Sequence, residues 1–372
     1  MHQLKLQSRP IKLPHGWHGV IECFAKKPYA IIFDSAAQGE LGRLSHASFS
    51  PVNLLSLESK SGKPSVVSQF KSVHKAFFEM FEVAGKPATD GFYGGWAGLL
   101  GYDLRCEIED LPAPKPEGPK FPDLQVGFYG WTLTHDHSND ETTLHMLKGL
   151  ENTPDSISEL RMYLRNLLKE EIETKPSKLV GPDLLAGKEG YLASARKVLD
   201  HIFEGDIYQA NLTREVVYEG AADPLKLYQS LRKHNPAPFG GFLDCGEGRY
   251  VLSSSPERFI RIKDGQIETR PIKGTRARSA DPVEDARIKE ELSNSAKDRA
   301  ELTMIVDLER NDLGRICKPG TVKVPELMQV HSYETVNHLE ATITGELRDN
   351  VTIEDYIRAT FPGGSITGAP KK

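Results

Sequence analysis

Apolar residues at helical spacing predict three helices along the chain. The first covers 156–173 and the second 188–204, where Gly205 ends the pattern. Their apolar faces consist of Ile157, Leu160, Tyr163, Leu164, Leu167 and Leu168 in the first helix, and of Tyr191, Ala195, Val198 and Ile202 in the second. A third, longer helix is predicted over 283–304. The Lys-Pro-Ser-Lys segment at 175–178 breaks the pattern and predicts a soft domain boundary.

Runs of β-branched and aromatic residues between turn signals predict strands. These runs occupy 29–33, 126–133, 212–218, 242–244, 250–253 and 259–272, with strand-like alternation again through 321–347. The segment 92–102 holds four glycines among aromatic residues, which indicates close backbone approach inside a sheet. Helices and strands are mixed without a βαβ rhythm, which favours an α+β fold. Residues 1–175 and 180–372 are predicted to form its two parts.

Composition and charge narrow the function classes. The 372 residues carry a net charge of −5, so a positive field for nucleic acid is not expected. The longest apolar-leaning stretch, 92–102, is too short and glycine-rich to span a bilayer, so no membrane is predicted. The four cysteines form no CxxC pair, which disfavours a zinc ribbon and favours a reducing compartment. The N-terminus has no apolar leader, so the chain is predicted to be cytoplasmic.

The most concentrated chemistry is a basic segment that follows a predicted strand. Residues 270–278 hold four cations, and Gly274 would let backbone N–H groups approach an anion closely. A solvated basic turn is the alternative. Lys273 differs from the other cations because Ile272 and Gly274 flank it and could hold it in a partly apolar slot. A desolvated lysine beside other cations loses its proton more easily, so Lys273 is a candidate nucleophile.

Two acidic side chains are further candidates, each with a structural alternative. Glu257 follows a predicted strand and could be a general acid if burial raised its pKa, or it could pair with Arg258 or act as a cap. Glu301 shares a helical face with apolar residues and needs a partner there. Magnesium is one candidate, since it favours one or two carboxylates plus substrate oxygens. A salt bridge to Lys297 or Arg299 is the other.

Three remaining features support no catalytic role by pattern alone. His338 would lie on one face of a strand, where a structural histidine is the alternative to a catalytic one. A hydrogen-bond network at a helix end is predicted for Asp307, Arg310, Asn311 and Asp312. The glycine loop at 361–370 is not a P-loop, and no GxGxxG motif is present, so no nucleotide site is predicted.

Six blocks, in order, resemble the chorismate-utilising enzymes, a family that includes anthranilate synthase component I, isochorismate synthase and salicylate synthase. The blocks are 204–212, 235–239, 252–259, 271–276, 305–315 and 361–371. Two N-terminal blocks, 94–103 and 121–131, also fit, so the resemblance spans nearly the whole chain. It implies the chorismate-binding enzyme fold, with a large antiparallel β-sandwich core and helices on the outside.

Lys273 separates the members of this family. Members that aminate chorismate at C4 carry lysine in a Pro-Ile-Lys-Gly-Thr block, as here, whereas anthranilate synthases usually carry a small residue. The resemblance implies that Lys273 attacks C2 of chorismate and expels the C4 hydroxyl. Ammonia would then attack C4 and expel the lysine. Glu257 would be the general acid, with Gly274 and Thr275 lining the substrate site and His338 near the reacting ring.

The resemblance also implies a metal, a nitrogen source and an effector. Glu301 would hold Mg²⁺, which grips the ring carboxylate of the substrate. Members that add water carry a lysine base where this chain has Gln209, and glutamine cannot deprotonate water, so ammonia is the expected nucleophile. A separate glutamine amidotransferase subunit would supply the ammonia. The N-terminal half of the family can hold tryptophan, and Ser35 and Arg43 lie where that pocket would be lined.

Two other interpretations remain open. Anthranilate synthase is the alternative enzyme, and Lys273 argues against it. The family continues past the Gly-Ala-Pro-Lys block at 368–371 with further substrate residues and a second magnesium glutamate, so the chain is expected to be cut short. A truncated, non-catalytic member that retains tryptophan or amidotransferase binding is therefore the alternative of another class.

Overall fold

The polypeptide forms two units, and each combines two separate stretches of sequence. The structure, a computed structural model, describes residues 2–37, 39, 41–59, 63–85, 91–109, 111, 120–151, 153–170, 178–184 and 187–371. The first unit comprises Met1–Pro176 and Ala222–Pro256, and the second comprises Ser177–Ala221 and Glu257–Lys372. These units differ from the two continuous parts predicted, because 222–256 adds a helix and two strands to the first unit.

Strands and helices are mixed throughout the described residues, which confirms the α+β class. The strands are β1 (His2–Pro10), β2 (Ile31–Asp34), β3 (Leu44–Ser48), β4 (Asn53–Leu57), β5 (Phe81–Ala84), β6 (Gly95–Leu100), β7 (Leu124–Tyr129), β8 (Trp131–Asp136), β9 (Glu141–Lys148), β10 (Lys178–Leu184), β11 (Gln209–Ala210), β12 (Val216–Ala221), β13 (Phe239–Asp244), β14 (Tyr250–Ser255), β15 (Arg258–Lys263), β16 (Gln266–Arg270), β17 (Ile272–Ala277), β18 (Lys323–Ser332), β19 (Val336–Glu346) and β20 (Gly368–Ala369). The α-helices are α1 (Gly16–Phe24), α2 (Val66–Met80), α3 (Arg105–Ile108), α4 (Ile157–Leu167), α5 (Gly187–Glu204), α6 (Pro224–His234), α7 (Pro282–Asn294), α8 (Ala296–Gly314) and α9 (Ile353–Thr360). Short 3₁₀ turns occupy Tyr102–Leu104 and Gly364–Ile366.

The first unit contains two sheets that share an apolar layer. One sheet has the strand order β14-β13-β2-β3-β8-β9-β1-β5, and among its described strands β1 and β5 form the one parallel pair. The other sheet has the order β4-β7-β6, and its Ala97 and Tyr129 pack with Ile31 and Leu243 of the first. The opposite face of the larger sheet packs against α1, α4 and α6. This arrangement is the predicted antiparallel sandwich with helices outside it.

The second unit is built around β19, which pairs with β18 along one edge. Along its other edge it pairs first with β17 and then with β16, beyond which lies β15. Alternate side chains of β19, Leu339, Ala341 and Ile343, pack in the core with Leu302 and Val306 of α8. Because side chains alternate across a strand, the even-numbered residues of β19 point to the opposite face. That face carries His338 and Glu340, two residues of the site described below.

The predicted helix at 283–304 is two helices, α7 and α8. They are separated by Ser295, whose backbone is extended at φ −62° and ψ 106°. Its hydroxyl oxygen accepts a hydrogen bond from the Asp298 N–H at 3.3 Å, so Ser295 is the N-cap of α8. The prediction of one helix was wrong because a continuous helical pattern concealed a capping residue.

The predicted strand at 259–272 is a hairpin, and a third strand follows it. Asp264 and Gly265 join β15 to β16 with φ of 51° and 75°, the positive values that a two-residue type I′ turn requires. Pro271 separates β16 from β17 and has no N–H to donate to a ladder. The predicted strand at 126–133 is likewise divided between β7 and β8, at Gly130.

The first two predicted helices form near their predicted positions. Ser156 caps α4, and the predicted apolar face is buried except for Tyr163, which is 49% exposed. The predicted end of that helix, 171–173, lies outside the described residues. The predicted face of α5 is not buried, and its Ile202 is 38% exposed. Within the described part of the chain, every helix is too short or too polar to cross a bilayer.

Candidate active site

Ser365 connects the two predicted catalytic side chains. Its backbone oxygen accepts a hydrogen bond from Nζ of Lys273 at 2.7 Å, and its hydroxyl donates to Oε1 of Glu257. Ser365 lies in the 3₁₀ turn Gly364–Ile366 and is only 6% exposed. Two residues that are separate in sequence therefore meet at one buried residue of a glycine-rich loop.

Glu257 has an environment that favours its protonated form. Burial raises the pKa of its carboxyl, and the neighbouring carboxyl of Glu340 raises it further. Hydrogen bonds from Ser365 and from the backbone N–H of Ile272, at 3.3 Å, act in the opposite direction. The positive charge of Lys273 also lowers the pKa, but the net shift is upward. A raised pKa suits a carboxyl group that must donate a proton near neutral pH.

The short strand β11 lies against the same loop. β11 pairs with β20, and Nδ2 of Asn211 donates to the Ser365 oxygen at 3.0 Å. Asn211 and Lys273 therefore share one carbonyl. Gln209 lies two residues before Asn211, on the same side of an extended segment. Its buried Oε1 has no hydrogen-bond partner among the described residues, so it could accept a donor from a ligand.

The basic segment at 270–278 is not a cluster of uncommitted cations. Its arginines form ion pairs with carboxylates, namely Arg270 with Glu268, Arg276 with Asp298 and Arg278 with Asp285. Lys273 differs from these arginines because its ammonium group is directed at a loop carbonyl. The prediction of an anion site therefore applies to Lys273 and not to the three arginines of the segment.

Gly274 permits a close approach between β17 and α8. Its φ is +85°, and a Cβ at this position would lie 2.9 Å from Cβ of Asp298. Such a distance leaves no room for a side chain, so the glycine is required by packing as well as by backbone conformation. Gly274 thereby fixes the backbone between Lys273 and Thr275. The sequence had suggested ligand approach as the reason for this glycine.

Four side chains form a chain of contacts on the face of β19 that points away from the core. Thr275 and His338 are partners across β17 and β19, with Oγ1 and Nδ1 2.8 Å apart. The ring of Tyr333 lies 5.3 Å from the ring of His338, and its hydroxyl donates to Glu340 at 2.7 Å. Burial lowers the pKa of His338 to about 4, so the imidazole is neutral at physiological pH. His338 can therefore offer a hydrogen bond but not a charge.

Glu301 provides one partly accessible carboxylate on α8. It shares a helix face with Asp298, which contacts Gly274, and with Leu308, which contacts Gly364. Its side chain is 32% exposed, and Oε1 lies 3.8 Å from Nζ of Lys297, as the salt-bridge alternative predicts. A single accessible carboxylate suits Mg²⁺, which completes its coordination with water and substrate oxygens.

A separate cluster of possible metal ligands lies at the end of α5. Among the described residues, His201, Glu204 and Asp206 are the one group of three histidine, cysteine or acidic side chains with mutually close ligand atoms. All three are exposed, and the group does not include Glu301. The described residues therefore give no preformed multi-ligand cage around Glu301.

Four residues of this region were missed by sequence reasoning. They are Asn211, Glu309, Glu340 and Ser365. Glu340 could have been found, since alternation places it on the same face of β19 as His338. Glu309 lies about two helical turns beyond Glu301 on the same predicted helical pattern but was given no role. The contacts of Ser365 are made by its hydroxyl and its backbone oxygen, and the residue type gives no signal that loop packing brings both to Lys273 and Glu257.

Comparison with known proteins identifies the family. Residues 28–372 match the sequence profile of the family described as chorismate binding enzyme. The chain belongs to the chorismate-binding enzyme family. Among the curated members, aminodeoxychorismate synthase component 1 of Klebsiella aerogenes is 42% identical over 285 residues, and that of Escherichia coli is 40% identical over 282 residues. Both alignments cover 75% of this chain and 60% of the relative, so the chain spans about 60% of the length of these relatives.

Other chorismate-binding enzymes are also similar. Anthranilate synthase component 1 of Methanothermobacter thermautotrophicus is 38% identical over 296 residues, which are 79% of this chain and 61% of that protein. The crystal structure of anthranilate synthase component I from Streptococcus pneumoniae has a TM-score of 0.69 at 26% identity, over 90% of this chain and 76% of that one. The predicted family and fold are thus confirmed.

Ser35 and Arg43, the two residues predicted to line a tryptophan pocket, lie in the first unit. Both form hydrogen bonds to other residues of the chain. The hydroxyl of Ser35 donates to the backbone oxygens of Leu44 at 2.8 Å and Pro238 at 2.9 Å. Arg43 forms a two-point contact with Asp136, through Nε and Nη2. A tryptophan site lined by Ser35 and Arg43 stays a prediction.

Proposed function

We propose that this chain is the chorismate-binding component of an aminodeoxychorismate synthase. Such an enzyme converts chorismate and ammonia to 4-amino-4-deoxychorismate, the precursor of p-aminobenzoate in folate synthesis. One observation carries the proposal: Ser365 holds the amine of Lys273 through its carbonyl and the acid Glu257 through its hydroxyl. Relatives with this name that are 40% and 42% identical support it.

The first half of the proposed reaction needs a nucleophile and an acid at one place. After the ammonium group of Lys273 has released a proton to solvent, its amine forms a bond to C2 of chorismate while the C4–O bond breaks and the ring double bonds shift. Glu257, whose pKa is raised by burial, gives its proton to the departing hydroxyl, so that water leaves. Lys273 is then joined to the ring at C2, and Glu257 is ionised.

The second half reverses these roles. Ammonia forms a bond to C4, the C2–N bond to Lys273 breaks, and the double bonds return to their original positions. The Glu257 carboxylate takes a proton from the new ammonium group, which restores the starting enzyme. The buried Oε1 of Gln209, which has no partner among the described residues, would accept an N–H from ammonia, and an amide cannot deprotonate water.

Other residues would orient the substrate. Neutral His338, bonded to Thr275, would donate a hydrogen bond to the reacting ring, and Gly274 would keep the backbone beside Lys273 in place. Glu301 would hold Mg²⁺, which when bound supplies positive charge to a substrate carboxylate. A glutamine amidotransferase subunit would supply ammonia, and the cytoplasm is the proposed location.

Anthranilate synthase is the second candidate function. Relatives with that name match over a similar share of the chain, at 38% identity in one case. The position of Lys273 beside Glu257 argues for the first candidate, since a lysine nucleophile has no part in the alternative. The identity of the amino product distinguishes the two reactions directly.

Substitution of Lys273 tests the proposal. With Mg²⁺, ammonium and chorismate, Lys273→Ala should lower the rate of chorismate consumption by roughly a thousandfold or more, because the covalent step is lost. Lys323→Ala removes an exposed lysine of the same sheet and serves as the matched control, with an unchanged rate expected. If Lys273→Ala consumes chorismate as fast as this control does, the lysine is not the nucleophile and anthranilate synthase becomes the better assignment.

A further inference from the structure

A buried carboxyl lies beside the turn Gly364–Ile366, which carries Ser365, and the proposed reaction does not use this carboxyl. Glu309 of α8 is 6% exposed. Its Oε2 accepts a hydrogen bond from the hydroxyl of Thr269 at 2.9 Å. Thr269 belongs to β16, so Glu309 links the helix to the sheet that carries Lys273. Burial of a carboxyl group costs free energy unless the group is neutral or its polar atoms have hydrogen-bond partners.

Glu309 and the preceding Leu308 form the floor under Gly364. A Cβ on Gly364 would lie 3.3 Å from Cγ and 3.4 Å from Oε1 of Glu309, and 3.0 Å from Cδ2 of Leu308. Because the packing is this close, these two side chains determine how far the turn lies from α8. The next residue is Ser365, which holds both Lys273 and Glu257. A change in the side chain of Leu308 or Glu309 should therefore move Ser365, which aligns the two proposed catalytic side chains.

The groups around Glu309 keep it neutral at physiological pH. Burial raises its pKa to about 8, and the carboxyls of Glu257 and Asp312 contribute to the rise. The Thr269 hydrogen bond and the ammonium of Lys371 act in the opposite direction. That ammonium is shared with Asp312, whose Oδ2 lies 2.7 Å from it. Ionisation of Glu309 would place an unsolvated negative charge directly beneath Gly364 and near Glu257.

We propose that Glu309 is a positioning residue: as a neutral acid it seats the Gly364–Ser365 turn, and its ionisation displaces the turn and misaligns Lys273 and Glu257. Glu309 contacts no reacting atom in this scheme and acts through Ser365. The catalytic consequence rests on the proposed function, whereas the titration of Glu309 and its support of the turn do not.

Two substitutions separate the charge of Glu309 from its volume. Glu309→Gln keeps a neutral side chain of similar shape, and Glu309→Ala removes the floor. Glu290→Gln changes an exposed glutamate of α7 and is the matched control. Thermal unfolding would be followed from pH 6 to about 9.5, and chorismate turnover would be measured over the same range with free ammonia held constant.

Unfolding tests the titration without reference to catalysis. Between the ordinary pKa of a glutamate and its raised value, the unfolded chain has released a proton that the folded chain retains, so stability falls as pH rises. The melting temperature of the wild type should therefore fall relative to that of Glu309→Gln up to about pH 8 and then stay at a constant difference. Parallel profiles for the two proteins would overturn the inference.

Turnover tests the positioning role. In the wild type the ionisation of Glu309 adds to that of Glu257, so turnover should fall near pH 8 by more than in Glu309→Gln, where only Glu257 ionises. Glu309→Ala should lower kcat by roughly tenfold with little change in the KM for chorismate, and Glu309→Gln should recover most of that loss. A kcat for Glu309→Ala equal to that of Glu290→Gln would overturn the positioning role. Absence of turnover in every protein, the wild type included, would refute the proposed function while the unfolding profiles still decide the titration.

Discussion

Replacement of Gly274 by alanine should be far more harmful than replacement of a glycine that only needs its backbone conformation. At φ +85° an L-residue loses roughly 1–2 kcal/mol relative to glycine. The new Cβ would also lie 2.9 Å from Cβ and Cγ of Asp298 and 3.0 Å from Cδ1 of Leu292. Overpacking of this kind adds roughly 1–3 kcal/mol. Gly274→Ala should therefore lower the free energy of unfolding by about 2–5 kcal/mol in total.

Gly265 offers a matched control in the same unit. Its φ is +75°, but a Cβ at this position would have no heavy atom within 4 Å beyond its chain neighbours, so Gly265→Ala should lose only the conformational part, roughly 1–2 kcal/mol. Urea unfolding of both variants, followed by circular dichroism, gives the two values. Equal destabilisation would refute the close approach of β17 and α8. Because Lys273 and Thr275 flank Gly274, the same variant should also lose chorismate turnover, whereas Gly265→Ala should not.

The remaining predictions concern His338, Glu301 and the predicted tryptophan site. Since burial lowers the pKa of His338 to about 4, its ring resonances should not titrate between pH 6 and 8, and a shift in that range would contradict the neutral role. Between about pH 4 and pH 6.5 the unfolded chain binds a proton at His338 that the folded chain does not bind. The free energy of unfolding of the wild type, compared with that of His338→Gln, should therefore increase as pH rises through this range. Glu301→Gln should weaken Mg²⁺ binding by roughly tenfold or more in calorimetric titration, while Lys297→Gln should not weaken it, because magnesium prefers carboxylate ligands. Tryptophan should raise the melting temperature of the wild type and not that of Ser35→Ala; no shift in the wild type would reject the predicted site.

The elements whose sequence pattern agrees with their tertiary packing were predictable. Alternation along β19 placed His338 on one face, and the helical pattern of α4 gave a buried stripe capped by Ser156. The division of 259–272 was also within reach, because Asp264-Gly265 is a turn signal between apolar runs. The joint at Ser295 was harder to recognise, since serine also occurs inside helices and only its extended backbone makes it a cap.

The meeting of the candidate site residues could not be predicted from the residues alone. Lys273 and Glu257 come together through one carbonyl and one hydroxyl of Ser365, and every residue type carries the carbonyl. The residue pattern and the resemblance to the family both singled out Lys273 and Glu257, but neither gave a role to this serine. Glu309 was not singled out because a glutamate near other charges is usually solvated, and only the packing of Gly364 over it shows that it is buried. Burial, rather than residue type, decides which of these carboxyls can carry a proton at neutral pH.

The most direct test of the central claim is the product formed from chorismate and ¹⁵N-labelled ammonium by the purified chain with Mg²⁺. Mass spectrometry should detect 4-amino-4-deoxychorismate that carries one ¹⁵N atom. Labelled anthranilate in its place would assign the chain to the second candidate function. A folded chain that consumes no chorismate would contradict the claim that these residues, as they are arranged here, form a working amination site.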